Sequence, residues 1–258
     1  MTRVWNTLAG WLDRRRALEG RSIGFVPTMG ALHRGHASLV ERCRGENHVV
    51  VVSIFVNPSQ FNDPKDLDRY PRTLDKDLEL LESAGADEVI VPAVSELYPN
   101  GYRLRVEPDG GHAVMEAAFR PGFLQGAMTV VLKLLNLVRA DCAYFGEKDY
   151  QQLKAVTELA QEFFLPTRIV PCPTVREASG LAMSSRNMLL SQEARERAAY
   201  LFRALTTAAD PAEARAMLGA HGFAVDYVEE RWGRRLAAAF LDGVRLIDNV
   251  PMTEIGRV

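Results

Sequence analysis

The chain has 258 residues, 47% hydrophobic and 25% charged, enough for a sizeable core in one large domain with room for a smaller one. A formal net charge of −2 argues against duplex nucleic acid as a partner, because such a surface needs a basic excess. The best candidate for a membrane span, Ala127 to Val138, is short and contains Lys133 and Asn136, so no membrane association is expected.

In chain order, Asn6, Gly10 and Asp13 interrupt any leader-like apolar start, and no secretory signal is expected. Leu8, Trp11, Leu12 and Leu18 predict an amphipathic helix ending near Gly20, with Arg14, Arg15 and Arg16 as a solvated face. Ser22 to Val26 predicts a short strand. Pro27 to His36 (PTMGALHRGH) then reads as a strand-to-helix turn, because Ala37, Leu39, Val40 and Cys43 are spaced as one face of a helix. Helix starts offer unpaired backbone N–H groups and a positive dipole end, where phosphates collect. Gly30 permits a sharp turn, Gly35 a close approach, and His33 and His36 share one side of the turn. The spacing Gly30 to Gly35 is that of a P-loop, but His36-Ala37 stand where Lys-Ser/Thr is required, so that reading fails. A zinc site lacks a nearby Cys or carboxylate; two surface histidines in a glycine-bearing loop remain the plain alternative.

His48 to Val56 is an almost unbroken β-branched run, as in a strand covered on both faces of a parallel sheet. It ends at NPSQF, which places Asn57 and Gln60 at a strand's carboxyl end, the ligand-binding edge of open α/β sheets. Asp63 to Pro71 reads as a loop, Thr73 to Ser83 as a helix stopped by Gly85, and Asp87 to Pro92 as a strand. Ser95 to Arg120 shows no clear period, with turns at Gly101, Gly110 and Gly111. Gly126 to Arg139 predicts a helix with Met128, Val131, Leu132, Leu135 and Val138 inward. Asp141 to Phe145 is a strand, Tyr150 to Phe164 a helix, and Arg168 to Pro173 a last strand. The alternation predicts an α/β protein, a Rossmann-like parallel sheet with helices on both faces. Beyond it, a polar segment from Thr174 to Asn187, a helix from Ser191 to Ala208 and an apolar ending (LAAAFLDGVRLIDNV) form a small C-terminal α/β domain. The expected division is residues 1–175 and 176–258. Cys43, Cys142 and Cys172 lack CxxC spacing and suit a reducing cytoplasm.

Two further polar clusters lie where this fold places its chemistry. In GEKDYQQ, Lys148 can neutralise phosphate charge and Asp149 can hold Mg²⁺, or the stretch is simply a capped helix start. In LAMSSRN, hydroxyl groups and Arg186 can wrap a polyphosphate, or again cap a helix.

Taken together and in order, PTMGALHRGH, FVNPSQF, RYPRT, FGEKDYQQL, GLAMSSRN and RLIDN resemble the pantoate–β-alanine ligase family, over about Val26 to Asn249. The resemblance implies ATP-dependent condensation of pantoate with β-alanine to pantothenate through pantoyl adenylate, with release of pyrophosphate and AMP. It implies catalytic roles for His36, His33, Lys148 and Arg186. It implies ATP binding by Met29, Gly30, Ala31, Leu32, His33, Arg34, Gly35 and His36, by Gly146, Glu147, Lys148 and Asp149, and by Val175, Met183, Ser184, Ser185 and Arg186. Gln60 and Gln152 match the pantoate-binding glutamines, with Asn57 beside the first, and Asp149 is the implied Mg²⁺ ligand. A homodimer with a lid-like small domain is also implied.

The chain departs from the family's RPGHFxGV, reading Phe123-Leu124 for His-Phe and Ala127 for Val, with Glu116-Ala117 for Glu-Gly; the resemblance puts this region near the pantoate and phosphate sites, so the departures bear on substrate fit and flap movement, and activity is still expected. The stretch between Tyr227 and Leu236 is shorter than usual, which bears on lid closure. The alternatives are a nucleotidylyltransferase, whose product keeps the nucleotidyl group, and a non-catalytic nucleotide-binding protein.

Overall fold

The apolar runs of the first two thirds of the chain pair as one parallel sheet. The structure, a computed structural model, describes residues 1–62, 64–108 and 110–256. Two units emerge, Met1–Glu147 with Gln151–Cys172, and Lys148–Tyr150 with Pro173–Val258. The division falls at Cys172/Pro173, and Lys148–Tyr150 groups with the second unit.

The first unit opens with β1 (Arg3–Trp5) and α1 (Leu8–Arg16). The three-residue β1 is too short to show a period, and the sequence pattern does not predict it. It pairs with a later strand through Glu88, a buried carboxylate that accepts from Trp5 Nε1 (2.8 Å) and Arg14 Nε (2.7 Å). The arginine run is therefore not a solvated face. Arg14 neutralises Glu88, Arg15 donates to the carbonyls of Val138 (2.7 Å) and Arg139 (2.9 Å), and only Arg16 stays in water beside Asp13. A buried carboxylate is tolerable only when paired in this way.

Next come β2 (Ile23–Thr28), α2 (Arg34–Glu46), β3 (Val49–Ile54), α3 (Pro64–Arg69), α4 (Leu74–Ala84) and β4 (Glu88–Ile90). The loop expected over Asp63 to Pro71 is corrected to helix α3. Asp63 itself lies outside the described residues, and a proline at the first helical position is pre-set for that start. Helix α4 stops at Gly85, φ 94°, as expected. The unit continues with α5 (Val94–Leu97), α6 (Glu116–Phe119), α7 (Phe123–Val138), β5 (Cys142–Gly146), α8 (Tyr150–Glu162) and β6 (Arg168–Cys172). In α7, Leu134 is buried and Leu132 only half-buried, contrary to the expected inward set.

The strand order β1-β4-β3-β2-β5-β6 is parallel throughout. On one face Val26, Val50, Val52 and Val170 form a core with Val40 of α2 and Leu81 of α4. Successive residues of a strand point to opposite faces, and Ile23, Phe25, Val49 and Val51 are equally buried. α7 runs against β2, with α1 tied to it by Trp11 Nε1 donating to the Leu137 carbonyl (3.1 Å). From β2 the chain winds outward to β3 and β4, then returns to β5 on β2's other side. That makes the β2/β5 seam the topological switch point, where such sheets bind ligands. Pairing across it runs only from Gly24↔Cys142 to Phe25↔Ala143, so the carboxyl halves of both strands leave the ladder.

In the second unit, α9 (Gln192–Ala198), α10 (Tyr200–Thr207) and α11 (Pro211–Ala220) precede an antiparallel sheet of β7 (Ala224–Arg231), β8 (Arg234–Leu241) and β9 (Val244–Pro251). The single helix expected from Ser191 to Ala208 is interrupted at Ala199, which keeps helical angles, so the axis bends without a turn. Trp232-Gly233 and Asp242-Gly243 close the two hairpins with positive φ at both positions (53°, 72°, 48° and 79°). Such turns match the natural twist of antiparallel strands. The fully buried Arg235 donates to the carbonyls of Leu205 (3.1 Å) and Ala208 (2.6 Å), closing the end of α10, and pairs with Glu230 (2.7 Å).

Burial pushes the Cys43 thiol up to about 12 and raises that of Cys172, so neither forms a reactive thiolate in the folded chain. At about pH 8 a thiol reagent is expected to label half-buried Cys142 rapidly, and Cys43 and Cys172 only after unfolding. Timed labelling followed by peptide mass mapping checks this; rapid modification of Cys43 would contradict the packing described.

Candidate active site

The turn after β2 is held by a carboxylate that the sequence gave no reason to single out. Asp77 of α4 is 2% exposed; its Oδ2 accepts from the Ala31 amide (3.0 Å), and its Oδ1 from the Leu32 amide (2.8 Å) and Thr73 Oγ1 (3.1 Å). Gly30 takes φ 80°, and a Cβ there would lie 3.0 Å from Asp77 Oδ2 and 3.2 Å from Ile54 Cγ2. Glycine is needed here for both backbone angle and space.

Beyond Leu32 the two histidines form a capping box. His33 is the N-cap of α2: its Nδ1 accepts from the Gly35 amide (3.1 Å), while His36 Nδ1 accepts from the His33 amide (3.3 Å). The rings lie 4.1 Å apart, tilted by 41°. An acceptor Nδ1 carries no proton, so in both neutral rings the proton sits on Nε2. The arrangement corrects the expectation of unpaired backbone N–H groups. The amides of Ala31 and Leu32 are taken by Asp77 of α4, and those of His33, Gly35 and His36 have partners inside the turn. What the turn presents is imidazole N–H. Met29 and Gly35 are half-buried, and exposed Arg34 pairs with Glu41 on the outer side of α2.

At the end of β3 a second cluster is built around Asn57, which is fully buried. Its Nδ2 donates to Gln60 Oε1 (3.0 Å) and to the Gly126 carbonyl (3.1 Å); its Oδ1 accepts from Ser59 Oγ (3.0 Å) and Tyr98 hydroxyl (2.9 Å). Every polar atom of the Asn57 side chain thus has a partner within the protein, and one of these bonds orients Gln60. Burial pushes the Tyr98 hydroxyl up to about 12, keeping it a neutral donor. Gly126 makes the approach possible, since a Cβ there would fall 2.2 Å from the Ser59 carbonyl oxygen. With Gln60 Oε1 taken by Asn57, its Nε2 is the end that serves a carboxylate or hydroxyl acceptor.

Gln151 and Gln152 divide their roles. Buried Gln151 accepts from the Glu116 amide (2.9 Å) and donates to the carbonyls of His112 (3.0 Å) and Val114 (2.9 Å), fixing the segment before α6. Gln152 is half-buried, and no protein hydrogen bond of its side chain is recorded among the described residues. The departures at the start of α7 are absorbed into the core. Leu124 and Ala127 are buried, and Phe123 lies under the Arg120 guanidinium (3.7 Å), which also pairs with buried Glu116 (3.3 Å). Gly146 and Glu147, at the end of β5, are half-buried.

Within the second unit, Lys148, Ser184, Arg186, Asn187 and Asp248 line one small cleft. Val175 and Met183 face each other across a short hairpin, Met183 N–H donating to the Val175 carbonyl (2.9 Å). Ser184 Oγ accepts from the Arg186 amide (3.2 Å), and Arg186 Nη1 donates to the Arg245 carbonyl (3.4 Å). Ser185 follows as a half-buried residue. The hairpin is anchored by Arg176, which forms a two-pronged pair with buried Asp248 (2.6 and 3.0 Å) and stacks on Phe202 (3.9 Å). Asp149 is 47% exposed, its Oδ2 lying 3.7 Å from Lys148 Nζ. Among the described residues no group of three or more His, Cys, Asp or Glu side chains is arranged to hold a metal ion. No described helix is long and apolar enough to cross a membrane.

The first unit, an open parallel sheet with imidazole and amide side chains at the carboxyl ends of its central strands, has the build of a nucleotide-using α/β enzyme. The family model described as pantoate-beta-alanine ligase matches residues 1–251. A pantothenate synthetase of Bdellovibrio bacteriovorus is 48% identical, over 97% of this chain and 99% of the relative; one of Aquifex aeolicus is 44% identical, over 94% and 95%. The pantoate-beta-alanine ligase of Francisella tularensis, solved in complex with beta-gamma ATP and beta-alanine, superposes with a TM-score of 0.94 at 38% identity, over 98% of both chains. The chain belongs to the pantoate–β-alanine ligase family and is a ligase.

The capping box gives His33 a task that stability can read. His33→Asn, which keeps an N-cap acceptor, is expected to retain wild-type stability, whereas His33→Ala loses ~1 kcal/mol in urea unfolding. For Asp77→Asn, which cannot accept from both amides with full charge, a loss of ~1.5–3 kcal/mol is expected in the same measurement. Unchanged stability would mean that another group holds the turn.

Proposed function

We propose that the ligation runs through pantoyl adenylate: the carboxylate of pantoate attacks the α-phosphorus of ATP, pyrophosphate leaves, and β-alanine then displaces AMP to give pantothenate. In this reading, which takes its catalytic residues from the resemblance, His33 and His36 donate from Nε2 to phosphate oxygens, and Lys148 and Arg186 neutralise charge on the same triphosphate. Ser184, Ser185, Val175, Met183 and the Met29–His36 turn shape the nucleotide site. Donors fixed in advance stabilise the charge that grows on phosphorus and leaving group without having to reorganise. Gln60 and Gln152 hold pantoate by amide hydrogen bonds, which suit a small hydroxy acid without adding charge.

The observation that carries this reading is the backbone lock on both imidazole Nδ1 atoms. It makes the rings neutral Nε2–H donors, suited to anionic phosphate oxygens and unsuited to acting as bases through Nδ1. Magnesium suits Asp149, since this ion usually takes one or two protein carboxylates and completes its shell with phosphate and water. When bound, Mg²⁺ supplies charge neutralisation to the phosphates. The resemblance also supports a cytoplasmic homodimer whose small domain shields the acyl adenylate from water.

The test uses purified protein with ATP, Mg²⁺ and pantoate, with and without β-alanine. AMP is expected only when both organic substrates are present, and a nucleotidylated product would instead favour a nucleotidyltransferase. Lys148→Ala and His36→Ala are each expected to slow pyrophosphate release by about 10²–10³. Wild-type release in either variant would remove that residue from the mechanism.

A further inference from the structure

The RLIDN segment, Arg245 to Asn249, lies within β9, and no substrate role accounts for its last two residues, both polar. Both are buried on β9, Asp248 at 3% and Asn249 at 1% exposure. Burying two polar side chains side by side is costly unless each bond they make is needed. Asp248 takes the Arg176 guanidinium and accepts from the Asn249 amide (2.7 Å). Asn249 reaches the other way: its Nδ2 donates to the backbone carbonyl of Lys148 (2.9 Å), and its Oδ1 accepts from Arg234 Nε. Arg234 in turn lies over the ring of Tyr150 (4.6 Å), two residues beyond Lys148.

These bonds converge on a short stretch. Glu147–Asp149 forms a single 3₁₀ turn, whose few internal hydrogen bonds leave its carbonyls in need of partners. Asn249 supplies one of them at the very residue whose side chain lines the cleft with Arg186. The neighbouring Asp248 fixes the hairpin that leads to Arg186, through Arg176. One strand register therefore sets the placement of both cations.

We propose that Asn249 is a positioning residue for Lys148, acting through the Lys148 carbonyl and held in its own rotamer by Arg234. The proposal rests on the reading that Lys148 acts on the phosphates. Asn249 touches no reacting atom in it; its contribution is to hold the lysine main chain so that Nζ returns to one place in each turnover. A displacement on the order of 1 Å at such a group is enough to cost about 10²-fold in rate.

The experiment is a double-mutant cycle read by pyrophosphate release from ATP and pantoate. Asn249→Asp keeps an acceptor for Arg234 and removes the donor to Lys148. It is expected to lower the rate of this half-reaction by about 10-fold or more, with the KM for β-alanine, measured separately in the full reaction, unchanged. In a Lys148→Ala background the same substitution is expected to cost nothing further, because the side chain it positions is gone. Should Asn249→Asp fail to fold, judged by circular dichroism, Asn249→Ser takes its place in the cycle as an uncharged short donor. An equal loss in both backgrounds would overturn the positioning role and leave Lys148 untouched. A wild-type rate in Lys148→Ala alone would overturn the phosphate reading instead.

Discussion

Everything the first unit offers to a nucleotide depends on a charge kept out of water. Asp77 accepts hydrogen bonds from two successive backbone amides of the Gly30–Leu32 bend and from Thr73, and so ties the helix α4 start to the end of β2. A buried carboxylate is stable only when such donors surround it, and its removal leaves the donors unpaired. The bend therefore has one low-energy geometry. Ala31, at φ 51°, stays in a left-handed conformation because the carboxylate holds the amide on either side of its carbonyl.

From that bend follows an unusual use of histidine. Two imidazoles close the helix start by accepting main-chain N–H groups, a task that Ser, Asp or Asn does more often. The exchange moves donor capacity from the main chain to the side chains. Main-chain N–H groups are fixed in direction by the helix, whereas an imidazole carries its proton several bonds away, at Nε2. Hydrogen bonds to Nδ1 also settle the tautomer before any ligand arrives, so no proton has to move to make the donor available. Dipoles oriented in advance in this way stabilise charge without having to reorganise.

Each unit also holds residues whose polar side-chain atoms are spent on hydrogen bonds within the protein. Asn57 orients Gln60, Gln151 orients the chain before α6, and Arg176 with Asp248 orients the 175–187 hairpin. They share a chemistry: an amide or an ion pair, nearly or wholly buried, with its directional bonds spent on backbone or on a neighbouring side chain. Placing a reactive group within a fraction of an ångström needs this kind of support, since a loop alone samples many positions. Gly126 belongs to the same set, because only a missing Cβ lets α7 approach the Asn57 turn closely enough for its carbonyl to be used.

Local pattern sufficed for the strands and helices that carry the site. The β-branched run at Val49–Ile54, the 3.6-residue spacing of Ala37, Leu39, Val40 and Cys43, and the glycine stop at Gly85 each act within a few neighbours, and each can be read from the chain directly. The motifs that name the family are likewise contiguous, because backbone turns at strand ends need particular residues at fixed spacing. Tertiary structure alone decided the rest. It turned Arg14 from a solvated charge into the counter-ion of Glu88, tied Asn57 to the Gly126 carbonyl, and selected Asp77 from among the acidic residues of α4. In all three the partner lies tens of residues away in the chain. A burial cost and the bond that offsets it become visible only once distant segments are brought together.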